Sequence, residues 1–202
     1  MNYLHTYDLP TDITFGNRIA VDTEAMGLNN KRDRLCVVQL SDGQGDAHLV
    51  HFPEPKFDAA NLKKILLDDS SQKLFHFARF DVAIIQEYLG VNMQNIYCTK
   101  IASRLCRTYT DRHSFKDLCR ELLSIDISKA QQSSDWGASS LSQEQVDYAA
   151  ADVLYLHDLQ DKLNAMLKRE GRLDLAKQCF EFLPIRAKLD LAGWPELDIF
   201  AH

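Results

Sequence analysis

Apolar and polar positions along the chain follow two different periods. Arg18–Ala25 (RIAVDTEA) is rich in β-formers and alternates as a half-buried strand should. Residues 34–40 (RLCVVQL) and 47–52 (AHLVHF) repeat that character, with Ser41, Asp42 and Gly43 between them as a turn. These three segments predict an antiparallel meander. The period then lengthens. Asp58 is placed to cap a helix running to about residue 67, residues 73–77 (KLFHF) read as a short buried strand, and residues 80–89 read as a helix stopped by Gly90. Beyond Ile96 the pattern is helical over 99–107 and 114–123, loop-like over 124–140, and helical again from 143 to about 169. Ser142 with Gln145 three residues later forms a capping box at the start of that last helix, and Gly171 marks its end. Helices over 173–182 and 185–191 meet at Pro184. No element is predicted before Arg18. A meander followed by alternating helix and strand implies an α/β fold with a mixed central sheet, antiparallel meander plus parallel strands, flanked by helices. With no linker or repeat, residues 1–202 are expected to form one domain with a helical tail from about 171.

Composition narrows the class. Hydrophobic residues are 46% and charged residues 26% of the 202, with only 8 Gly and 5 Pro, which fits an ordered globular chain. No stretch approaches the ~20 apolar residues of a membrane span, and the N-terminus lacks the basic and apolar regions of a secretory signal. The 5 cysteines are odd in number and scattered without a C-x-x-C pair, so a disulfide framework or zinc ribbon is not expected. Cysteines in apolar surroundings suit a reducing compartment, and the expected location is the cytoplasm. The net charge of −6 argues against a broad grip on duplex phosphates. It suits local binding of a chain end, with metal ions supplying positive charge.

Three acidic places carry candidate chemistry. Asp22 and Glu24 stand at i and i+2 on the first predicted strand, so both carboxylates project from one face. Two like charges so placed are costly without a cation, although a solvated strand end would also explain them. Asp81 falls in the first turn of a predicted helix, where it would in any case favour the helix dipole. Tyr148 and Asp152, spaced i and i+4, share a helix face, and Ala149, Ala150 and Ala151 keep that helix slim enough to approach the sheet. The alternative for this pair is a packing helix with a solvated Asp152; taken together, the three places predict that Asp22, Glu24, Asp81 and Asp152 converge with Tyr148 beside them. Hard oxygen ligands select Mg²⁺ or Mn²⁺. Two such ions about 3.5–4 Å apart stabilise the attacking and leaving oxygens of a phosphodiester displacement.

The runs VDTEA, FARFDVAII and YAAADVLYL resemble the three exonuclease motifs of the DEDD superfamily, in its tyrosine-containing subclass. The stretch KAQQSSDWGASSLSQEQVDYAAADVLYL resembles the ribonuclease D family, and the likeness spans roughly residues 19–159. The resemblance implies a ribonuclease H-like fold and 3′→5′ exonuclease activity on single-stranded ends, RNA favoured over DNA, releasing nucleoside 5′-monophosphates. It implies that Asp22, Glu24 and Asp152 hold one metal, that Asp22 bridges to a second, and that Asp81 acts through water. Tyr148 would orient the attacking water, since a phenol of pKa about 10 is a poor base near neutral pH. Two departures stand out. Only about 33 residues follow the Asp152 helix, too few for the HRDC domains of ribonuclease D proper, so the chain resembles the short relatives and tRNA processing is not assumed. Many members also carry Asn where this chain has Phe77. The competing expectations are a DNA-trimming exonuclease and a non-catalytic nucleic-acid-binding module of the same fold.

Substrate contacts are read from weaker signals. Lys100, Arg104 and Arg107 fall on one helical face and could follow a phosphate backbone, or simply meet solvent. His76 either touches substrate or is a satisfied core histidine. Lys129, Gln132 and Ser133 lie in the loop before Trp136, and Trp136 either stacks on a base or pins the loop. Met26 follows the first motif and either wedges against a terminal base or packs.

Overall fold

The computed structural model describes residues 1–128, 131 and 133–202. Its centre is a six-stranded mixed sheet in the order β1-β4-β3-β2-β5-β6. The strands are β1 (Asn2–Thr6), β2 (Arg18–Ala25), β3 (Leu35–Ser41), β4 (Ala47–His51), β5 (Gln72–Phe75) and β6 (Ile96–Cys98). The predicted meander is present: β2 pairs antiparallel with β3, and β3 with β4. β1, β5 and β6 join in parallel. β3 is buried along its whole length, and β1 is largely exposed at the edge.

The unpredicted strands have simple causes. β1 is a short edge strand of mostly polar residues, held by its pairing with β4 and by the Tyr7 amide donating to the His51 carbonyl at 2.9 Å. β6 has only three residues, too few to show a period, and its pairing with β5 defines it.

Seven α-helices are present among the described residues: α1 (Ala60–Leu67), α2 (Ala78–Leu89), α3 (Thr99–Cys106), α4 (Phe115–Leu118), α5 (Gln143–Leu154), α6 (Leu156–Arg169) and α7 (Leu173–Leu191). Four points differ from the sequence reading. The segment after α4 continues as a π-helical turn, Cys119–Leu123, ended by Ser124 in the left-handed region at φ 61°. The helix expected from 143 to 169 is broken at Tyr155, because its halves face different partners. α5 lies on β1–β4, whereas α6 lies on α3, β5 and the π-turn, and one straight axis cannot serve both. Conversely, Pro184 does not divide α7, where Phe180, Leu183, Pro184 and Ala187 are all buried in the core. That burial outweighs the hydrogen bond that proline forfeits. α1 is capped at Ala59 rather than Asp58, with the Asp8 carboxylate accepting from the Asn61 and Leu62 amides in its place.

No helix among the described residues is long and apolar enough to cross a membrane.

Candidate active site

The site forms where β2 outruns β5. Their parallel pairing covers only Arg18, Ala20 and the residue between, so Asp22–Glu24 extends beyond the last shared rung. On its other side β2 stays paired with β3, Asp22 opposite Gln39 and Glu24 opposite Val37, with a register shift between Glu24 and Ala25. Strand alternation sends Asp22 and Glu24 to one face and Thr23 to the other.

α5 covers the first face. Its capping box is formed: the Ser142 hydroxyl accepts from the Gln145 amide at 3.3 Å, and Gln145 Oε1 accepts from the Ser142 amide at 3.0 Å. Ala149 and Ala150 are fully buried against the sheet, as a slim helix allows. Asp152 is thereby carried to the strand pair. One carboxylate oxygen each from Asp22, Glu24 and Asp152 lie within 4.8 Å of one another.

Asp81 arrives from the second face. α2 starts directly after β5, and its first turn places Asp81 against β2, where the Thr23 hydroxyl donates to Asp81 Oδ1 at 2.7 Å. Asp81 stands outside the three-carboxylate group but acts on it electrostatically.

The four acids share one electrostatic problem. Burial, then the charges of Asp81, Asp152 and Glu24, push Asp22 well above the usual carboxylate range. Burial, then Asp152 and Asp81, raises Glu24 to about 9. Burial raises Asp81 to about 7 against the opposing pull of the Thr23 hydroxyl. Burial likewise raises Asp152 to about 7, opposed by the Tyr148 hydroxyl. Tyr148 itself is raised by burial and then by the nearby carboxylates, so its hydroxyl keeps its proton. Carboxylates crowded so tightly favour a cation among them. The donor set is all oxygen, with no His or Cys in the described group, and fits Mg²⁺ or Mn²⁺.

The surrounding residues divide. Trp136 is buried (2% exposed), and its ring centroid lies 6.1 Å from that of Tyr148. Its ring therefore pins the loop against the motif tyrosine and presents no open face for a base. Gln145 secures the same loop, with Nε2 donating to Ser134 Oγ and the Asp135 carbonyl, each at 3.2 Å. His76 is also a satisfied residue: Nδ1 pairs with Thr99 Oγ1 at 2.9 Å, and burial and then Lys100 push its pKa down to about 3. Arg107 is interior and pairs with Glu121, so it leaves the expected basic face. Arg104 is exposed, Lys100 is half-buried, and Met26 is 60% exposed. Lys129 and Gln132 lie outside the described residues.

The sequence reading gave no role to Thr23 beyond membership of its motif. Alternation was the available signal, since it turns Thr23 away from the acids and towards whatever covers the other face.

Comparison with known proteins agrees with this geometry. The 3′-5′ exonuclease family matches residues 9–168. Ribonuclease D of Gluconacetobacter diazotrophicus is 35% identical over 156 residues, 77% of this chain and 39% of the relative. The chain thus spans less than half the length of the curated relatives it matches. A structure of Brucella melitensis NrnC bound to pGG is 53% identical, with a TM-score of 0.96 covering 99% of this chain and 98% of that one. NrnC with bound Mg²⁺ is 51% identical with a TM-score of 0.94 over the same shares. Escherichia coli RNase D, 27% identical, gives a TM-score of 0.74 over 85% of this chain and 45% of its own. The mixed sheet with flanking helices is the ribonuclease H-like fold of these nucleases, and the chain belongs to the 3′-5′ exonuclease family.

Proposed function

We propose that this protein removes nucleoside 5′-monophosphates from the 3′ end of short single-stranded RNA, in the manner of the tyrosine-containing DEDD subclass. The observation that carries the reading is the meeting of Asp22, Glu24 and Asp152 within 4.8 Å, with Asp81 acting on them from the other side of β2. On this reading Asp22, Glu24 and Asp152 would hold one divalent cation, and Asp81, acting through water, would serve a second shared with Asp22. Bound there, Mg²⁺ or Mn²⁺ supplies neutralisation of the phosphodiester and stabilisation of the attacking and leaving oxygens. The chain supplies position. Tyr148, protonated and lodged between Trp136 and Asp152, orients the attacking water by its hydroxyl. Thr23 fixes Asp81. Short RNA is favoured because the similar NrnC is seen with pGG, a two-nucleotide ligand. The reading places the activity in one domain with a helical tail, in the cytoplasm, where the buried free thiols of Cys36, Cys98, Cys106 and Cys119 are at home.

The test is a gel assay on 5′-labelled RNA and DNA of one sequence, from two to about ten nucleotides, with Mg²⁺, Mn²⁺ or chelator and with Asp152→Ala alongside. A metal-dependent ladder shortening from the 3′ end, faster on RNA and absent in the variant, is expected. Faster DNA cleavage would favour the trimming alternative. Binding without cleavage would favour the non-catalytic one.

A further inference from the structure

Phe77 is conformationally misplaced for its residue type. It caps the N-terminus of α2 at φ 68° and ψ 43°, in the left-handed region that a bulky side chain rarely occupies. Asparagine tolerates that region, and phenylalanine has no polar group with which to compensate it. The ring is not hidden to offset the strain, for Phe77 is 46% exposed. The Lys100 ammonium stands over the ring, 4.2 Å from its centroid.

The surroundings are close in sequence to the acids. Phe77 and Phe80 line a cleft of about 740 Å³ together with Leu28 and Lys31 from the segment after β2 and with Asp190 and Glu196 from the end of α7 and beyond. Leu28, 87% exposed, lies four residues beyond Glu24, and Phe80 immediately precedes Asp81. The Asn30 side chain donates to the Phe80 carbonyl at 3.2 Å and ties the segment after β2 to α2. The cleft therefore borders β2 and α2, the elements that carry Asp22, Glu24 and Asp81. An exposed aromatic face beside a cation is the usual means of holding an unpaired base and its phosphate.

Resting on the nuclease reading above, we propose that Phe77, braced by Lys100, is the platform on which a nucleobase of the bound RNA end stacks. Phe77 thereby sets affinity for short substrates and takes no part in the bond-breaking step. Lys100 serves twice, holding the ring and offering its charge to the adjoining phosphate.

The experiment compares wild type with Phe77→Asn, Phe77→Leu and Phe77→Trp on short RNA. Asparagine suits the backbone at this position, so Phe77→Asn is expected to fold with an unchanged or higher melting temperature. Its KM should rise about tenfold with kcat within about twofold, and Phe77→Leu should follow it. Phe77→Trp should keep KM near wild type. A second readout is independent of turnover: the fluorescence of 2-aminopurine in a dinucleotide RNA, titrated with full-length protein carrying Asp152→Asn. Binding should quench it, and the added Phe77→Asn change should remove most of the quenching. Unchanged KM together with unchanged quenching in Phe77→Asn would overturn the platform. So would a change in sedimentation with KM unaltered, which would make the ring a contact between copies of the chain. If wild type cleaves no RNA, the nuclease reading fails, and the quenching titration still decides the platform separately.

Discussion

The Thr23 hydroxyl donates to the Asp81 carboxylate at 2.7 Å, joining β2 to the first turn of α2 through the face of the strand that Asp22 and Glu24 do not use. One strand thereby controls three of the four acids, two by carrying them and a third by tethering it. Because this bond opposes the upward push of burial, its loss should raise Asp81 above about 7. Thr23→Val is expected to move the acidic limb of the pH–rate profile to higher pH and to lower kcat roughly tenfold at neutral pH. A profile measured at fixed Mg²⁺ checks this. An unmoved limb would show that Thr23 does not govern the ionisation of Asp81.

The metal-free protein should lose stability as pH rises. Glu24, at about 9, and Asp81 and Asp152, at about 7, bind protons more tightly when folded than when unfolded. The native state therefore holds more protons above pH ~4, and unfolding free energy falls with pH until the folded values are passed. In chelator, the melting temperature should drop by several degrees between pH 5 and 9, roughly 1–3 kcal/mol. Asp152→Asn should flatten that slope, and Mg²⁺ should restore stability most strongly at the alkaline end. Thermal melts with and without Mg²⁺ measure both effects. A slope unaffected by Asp152→Asn would contradict the assignment.

The acids and the tyrosine should separate by magnitude. Asp22→Ala removes a group shared by both proposed ions and should lower kcat by at least about 10³-fold. Tyr148→Phe removes only an orienting hydroxyl and should leave activity reduced about 10–100-fold. Single-turnover rates on a dinucleotide distinguish the two. Full activity in Asp22→Ala would sink the metal assignment.

Trp136 should behave as a packing residue. Its burial against Tyr148 predicts that Trp136→Phe keeps most activity, whereas Trp136→Ala costs about 3 kcal/mol or more of stability and lowers kcat through a loosened Tyr148. Denaturant unfolding beside steady-state kinetics provides the check. A pure KM effect in a stable Trp136→Ala protein would restore the base-stacking role.

Local chemistry fixed much of this protein in advance. The alternation of Arg18–Ala25 set Asp22 and Glu24 on one face, and the Ser142–Gln145 pair set where α5 begins. The i, i+4 spacing of Tyr148 and Asp152, with alanines between, fixed which side of α5 meets the sheet. Each depends on contacts within one turn or one strand, so the order of residues suffices. Tertiary structure decided the rest. β1 and β6 exist because β4 and β5 offer them partners. Tyr155 breaks a helix and Pro184 does not, because burial on distant surfaces outweighs local preference at both places. Arg107 left the surface to pair with Glu121, and Trp136 left it to pack on Tyr148. The raised ionisation of the four carboxylates belongs to this second class. It arises only when three separate elements bring like charges together out of water, a distance that no spacing along the chain encodes.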